Sequence, residues 1–226
     1  MQELSDNAMM WLLPSLPVVL VSLSALLFEK AWHSKAQKVW MTAHYGRVAG
    51  ILIFGLAFMV APVNIRQQVM NLWRMQLPIH MGDVLAVLLC IGLLIFLQRT
   101  SRGRVQGLES YSEANIGLLS LAVYSATWIV YLLLYEVYFR GYLLTIAFQG
   151  IHVVPIMVYN LVLYALAHLN KNMQQVMLSV PFGLLLCLVT LLTGHLWFAV
   201  IVHCWLALGV ELPLLTKNRY QKILTQ

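Results

Sequence analysis

Apolar residues run along this chain in long blocks, and the polar residues gather between them. The blocks cover about Met9–Phe28, Val48–Val63, Val84–Leu97, Gly117–Gln149, Val153–His168, Gln175–Leu192 and Leu196–Leu212. None shows the period-two alternation of a half-buried strand, and several are long enough to cross about 30 Å of hydrocarbon as helices. The pattern predicts an all-α fold, a polytopic transmembrane helical bundle of about seven spans (six to eight), and it leaves no room for a barrel. One block stands out by length. As a single helix rising 1.5 Å per residue, Gly117–Gln149 overshoots a bilayer core, so it must tilt, bend or split, with Gly141 the weak point.

The connections carry the charge. A basic stretch with Lys30, Lys35, Lys38 and Arg47 follows the first block, and a loop with Arg66, Arg74, Trp73 and His80 follows the second, Trp73 and His80 being interfacial candidates. The most polar segment, QRTSRGRVQGLESYSEAN, holds Arg99, Arg102 and Arg104, and a tail with Lys217, Arg219 and Lys222 ends the chain. The reading divides the chain into N-terminal spans and basic loops at 1–116, a four-helix core at 117–212 and a basic cytoplasmic tail at 213–226. Counting seven crossings puts nearly all Lys and Arg on one side, with only Arg66 and Arg74 opposite. That bias predicts an N-terminus outside and a C-terminus in the cytoplasm.

Composition agrees. Of 226 residues, 61% are hydrophobic and 10% charged, where a soluble domain would have about 25% charged. The net charge of +6 is accounted for by the loops, so no nucleic-acid partner is expected; the lipid bilayer is. Cys90, Cys187 and Cys204 lack metal or redox spacing and read as packing residues. The N-terminus has no basic region or small-residue cleavage site, so the first block reads as a retained span. No internal repeat supports a transporter.

A few polar residues break the apolar blocks, and they bear the chemistry. Glu136 and Arg140 in YLLLYEVYFRGYLLT are four apart, so on a helix they share a face and can pair. Ionised groups at membrane depth are costly unless paired or wetted, which makes them functional candidates. Asn160, Tyr164 and His168 follow at steps of four along the next block. In the last block His195, Ala199, His203, Ala207 and Glu211 share a face at the same step. Tyr124, Trp128, Tyr131, Tyr135, Tyr138 and Tyr142 draw an aromatic stripe for packing or lipid contact. Ser179, Gly183 and Cys187 form a small-residue face suited to close helix packing. His33, His44, His80 and His152 fall in loops or at block ends and take no role.

These motifs resemble, in order and spacing, those of the CAAX-protease-like intramembrane glutamic endopeptidases, the CPBP or Abi family. Glu136-Val-Tyr-Phe-Arg140-Gly141 is similar to the Glu-Glu-x-x-x-Arg signature, Tyr164-x-x-x-His168 to the aromatic-and-histidine motif, and His203 to the third. The resemblance covers about Gly117 to Leu212. It implies catalysis by Glu136, His168 and His203, supported by Arg140, Tyr135, Tyr164 and Asn160, on a peptide bond of a membrane-delivered peptide or protein, through an activated water and without a cofactor. Two positions depart from the family. Tyr135 stands where the water-activating glutamate is implied, and Ala207 where an asparagine is. A phenol with a pKa near 10 is a poor base at neutral pH. Glu136 then has two readings, catalytic base or structural clamp for Arg140. The chain likewise has two: an intramembrane endopeptidase, or a catalytically silent scaffold, immunity or peptide-binding protein. A zinc site from Glu136, His168 and His203 is a third arrangement, without the HExxH spacing.

Overall fold

The computed structural model describes residues 2–31, 36–73, 81–101, 118–146, 152–169 and 173–224. Among them there is no strand. The elements in order are α1 (Gln2–Ala31), α2 (Ala36–Val60), α3 (Val63–Trp73), α4 (Met81–Ser101), α5 (Leu118–Glu136), a π-helical segment (Val137–Tyr142), α6 (Leu143–Thr145), α7 (Val153–Leu166), α8 (Met173–Thr193) and α9 (Trp197–Leu224). The all-helical class is as the pattern predicts. Backbone groups in hydrocarbon must bond within their own segment, and helices do this.

By length and hydropathy, Leu118–Thr145 and Gln175–Thr193 each suffice to cross a membrane, and the bent pair His44–Val60 with Val63–Trp73 passes jointly. Shorter apolar helices lie at Leu13–Leu27, Met81–Gly92, Val153–Leu166 and Trp197–Gly209. Large apolar side chains such as Leu56, Leu88, Leu119 and Ile201 face outward, the arrangement expected when the surroundings are lipid.

Several boundaries differ from the sequence reading, each for a local reason. The loop expected after the second block is a helix, α3, bent 116° from α2. Its apolar residues recur at helical spacing and bury Ile65 and Val69, but Asn64, Arg66, Gln67, Gln68 and Asn71 make it too polar to look like a span. Arg47 and His44, read as loop residues, lie within α2. The helix starts earlier than the apolar block because polar side chains at its entrance find partners on α5. α7 stops at Leu166, leaving His168 in the turn that follows. His195 precedes α9, in a break at Gly194 whose φ of +67° suits only glycine readily; it is therefore off the helical stripe. α9 itself continues through the stretch read as a tail, to Leu224. Lys171 and the polar segment 102–117 lie outside the described residues, as do the side chain of Glu211 and those of the tail.

The core is aromatic at its centre. Phe54 of α2 meets Tyr131, Tyr135, Tyr138 and Phe139 with ring centroids 4.9–6.3 Å apart. In lipid there is no hydrophobic drive between helices, so contact packing and interhelical hydrogen bonds hold such a bundle. The Tyr138 hydroxyl donates to the carbonyl of Pro14 in α1. Pro17 has no N–H to offer Leu13, which loosens this turn of α1 just beside that acceptor.

Candidate functional site

The site is built around the π segment. At its end the Leu143 N–H bonds to the Tyr138 carbonyl, five residues back, instead of four. Such wide turns are rare and recur at functional sites, because they re-aim the side chains that follow. Asn160 of α7 fixes this one: its amide Nδ2 donates to the Phe139 carbonyl, and its Oδ1 accepts from the Cys187 thiol of α8 at 3.6 Å. Asn160 thus ties three elements where the ladder is irregular. Gly141, the weak point expected from sequence, lies inside the segment, and a Cβ there would meet Val69 Cγ1 of α3 at 2.8 Å. Only a hydrogen lets α3 rest this close.

Glu136 ends α5 and is fully buried. Its Oε1 accepts from Nδ1 of His203 on α9. Its Oε2 lies 3.0 Å from Nη1 of Arg140, one turn further on and equally buried. Arg140 also donates from Nη2 to the Gly183 carbonyl of α8 at 3.1 Å, and its guanidinium stacks 4.3 Å from the Tyr164 ring centre. The approach is close because residue 183 is glycine: a Cβ there would meet Tyr164 at 3.0 Å and Arg140 Nη2 at 3.4 Å. The small-residue face of α8 therefore packs as expected, with Ser179 and Cys187 also buried. A carboxylate only accepts, so Nδ1 of His203 carries the proton in this pair.

His168 arrives from the far side. Its Nδ1 lies 2.8 Å from the Tyr164 carbonyl, which only accepts, so Nδ1 carries a proton here too. Its ring centre is 4.8 Å from Tyr164 and 6.4 Å from Tyr135. Tyr135 meets both histidines. Its ring is edge-on to His203 at 5.6 Å, edge-on to Tyr164 at 5.5 Å and tilted on Phe139 at 4.4 Å. Its buried hydroxyl has no hydrogen-bond partner among the described residues. The phenol ring thus contacts both imidazoles, as that of Tyr164 does, and belongs to the predicted aromatic stripe as well.

The structure thus gathers Glu136, Arg140, Tyr135, Asn160, Tyr164, His168 and His203, contributed by α5, the π segment, α7 with the turn after it, and α9. Among the described residues no three His, Cys, Asp or Glu side chains come together as a metal ligand set. Ala207 offers no polar group where one was expected. Sequence reasoning missed Arg47, which is buried with its guanidinium 4.3 Å from the Tyr124 ring and 3.9 Å from that of Trp128. It also missed His44, whose Nδ1 is 3.2 Å from the Thr127 hydroxyl. The one available signal was that His44 and Arg47 share a face at helical spacing; their partners lie on a distant helix.

A carboxylate buried between a guanidinium and an imidazole, inside a bundle whose outer surface is apolar, defines the class: a helical membrane protein with an internal ionised site. The family follows from comparison. Residues 117–208 match the family described as type II CAAX prenyl endopeptidase Rce1-like, so this part of the chain is a domain of that family, as its motifs indicate. No curated protein and no solved structure matches the chain.

Proposed function

We propose that this is a multi-pass membrane protein which receives a membrane-delivered peptide or protein in an Rce1-like site and, as built, does not hydrolyse it. One observation carries the reading: the ring of Tyr135 packs edge-on against both His168 and His203, at the position where the resemblance implies the water-activating glutamate. Hydrolysis without a covalent intermediate needs a base that takes a proton from water and donors that hold the oxyanion. The phenol supplies no base at neutral pH. Glu136 Oε1 accepts from His203, and its Oε2 is ion-paired with Arg140 without a hydrogen bond, which supports the clamp. The protein then acts as scaffold, immunity factor or peptide-binding partner and uses no cofactor. Its 117–212 core sits in about seven crossings with the N-terminus outside.

A second reading is favoured by the Glu136–His203 contact, since a carboxylate joined to an imidazole is a general-base pair once a substrate displaces Tyr135. In that case the protein is an intramembrane endopeptidase acting through water. The test uses the full chain in liposomes with prenylated and unprenylated C-terminal peptides, native beside Tyr135→Glu. The silent reading expects binding without cleavage by the native protein and cleavage by the variant. Native turnover that is lost in His203→Ala and His168→Ala overturns it in favour of the second.

A further inference from the structure

We infer that α3 lies flat in the lipid headgroup layer as a cover over the Glu136–His203 site, which places that site within one or two helical turns of a membrane surface. The inference rests on the membrane reading of the bundle and is independent of whether the site hydrolyses anything. The sequence of α3, VNIRQQVMNLW, sorts its residues onto two faces. Ile65, Val69 and Leu72 recur at steps of four and three and pack against Val137, Leu196 and Val200. Asn64, Gln67 and Asn71, at steps of three and four, are exposed. Carboxamides facing hydrocarbon would lose their hydrogen bonds to water, whereas in the headgroup layer they keep them. The helix is also short: eleven residues rise about 16 Å, half of what a crossing needs. A bend of 116° from α2 turns it out of the spanning direction.

The ends of α3 supply a second, independent observation. At its C-terminus the carbonyls of Leu72 and Trp73 have no helical partners of their own. They accept from the Leu196 N–H at 3.0 Å and from the Trp197 indole N–H at 2.7 Å, at the opening of α9. The rings of Trp73 and Trp197 stack with centroids 4.0 Å apart. Tryptophan with one polar edge collects at the membrane–water boundary, and here two of them close the same end of the cover.

Two separate rulers then measure the depth of the site. Val69 touches Gly141, and Glu136 is five residues back along that helix, about 7 Å. Trp197 lies against Trp73, and His203 is six residues on along α9, about 9 Å. The two rulers start from different helices and agree. From Gly141 back to Leu118 is about 35 Å, a bilayer's thickness, so the excess length of that helix is accounted for by what lies beyond α3. The partner surface is therefore the headgroup layer itself.

The experiment labels one added cysteine at a time with a membrane-impermeant maleimide in sealed vesicles of both orientations, and the labelling of the native chain, through its own Cys90, Cys187 and Cys204, is subtracted. Gln67→Cys and Asn71→Cys probe the outer face of α3, and Val130→Cys, on an outward-facing part of α5, probes the hydrocarbon. The expected result is labelling at 67 and 71 from one side only and on the order of tenfold faster than at 130, because the reaction needs water. Each variant is also labelled after detergent solubilisation and run for monodispersity; Asn64→Cys replaces any that fails. Rates at 67 and 71 equal to that at 130 would mean that α3 dips into the hydrocarbon, and the inference would fall. Peptide turnover enters none of these readouts.

Discussion

Two arginines are buried along the same long helix, both against aromatic faces, and one of them beside a carboxylate as well. Arg47 reaches across from α2 and lies between the faces of Tyr124 and Trp128. Arg140 sits on the π segment against a carboxylate, a carbonyl and the face of Tyr164. Ring quadrupoles attract a cation over their faces, and the planar guanidinium adds stacking area to that attraction. An ion pair is less forgiving, since removing one partner strands the other. The Glu136 end therefore carries the larger penalty when one charge is removed. Here the pair adjoins His203 directly, and His168 lies across the rings of Tyr135 and Tyr164.

The comparison is broken most directly at Glu136. Glu136→Ala leaves the Arg140 guanidinium buried with no counter-charge, and a loss of about 3–5 kcal/mol is expected. Thermal unfolding in detergent reads this, and the Glu136→Ala/Arg140→Leu double variant should recover much of it. A double variant as unstable as the single would show that the pair's charge is not what matters. Next in size is the turn that carries Arg140. Asn160→Ala removes the donor to the Phe139 carbonyl and should cost about 2–3 kcal/mol, as for a buried group left unsatisfied. Hydrogen exchange should rise at residues 137–143 ahead of the rest of the helix. Gly141→Ala drives a methyl into Val69, an overpacking of about 1–2 kcal/mol. Val69→Ala added to it should restore stability, and failure of that rescue would mean that the close approach of α3 is not the reason for the glycine. The smallest change is expected at the other arginine. Arg47→Lys keeps the charge and loses the planar stack on two rings, for about 1 kcal/mol. If Arg47→Lys costs more than Glu136→Ala, the contrast between the two ends is wrong.

Much of the site could be read in the linear order of residues, and the reasons are physical. Charged or imidazole side chains are so costly in an apolar block that Glu136, Arg140, His168 and His203 announce themselves wherever they occur. The four-residue step from Glu136 to Arg140 also fixes their pairing, because a helix places them on one face. Arg47 escaped notice for the converse reason. Its neighbours in sequence are polar enough to pass for a loop, and an aromatic face eighty residues away leaves no local mark. α3 was missed because eleven half-apolar residues are too short and too mixed to resemble a span.

From the chain alone come the helical class, the membrane setting, the candidate ionised residues and the family resemblance, since each depends on local spacing or on the cost of a single residue in hydrocarbon. Only the tertiary structure decided which nitrogen of His203 meets Glu136, that Asn160 braces a π turn, and that Tyr135 packs against both imidazoles. Those are contacts between helices far apart in sequence. Periodicity says which face a residue shares on its own helix, but what that face meets is set by how the bundle closes.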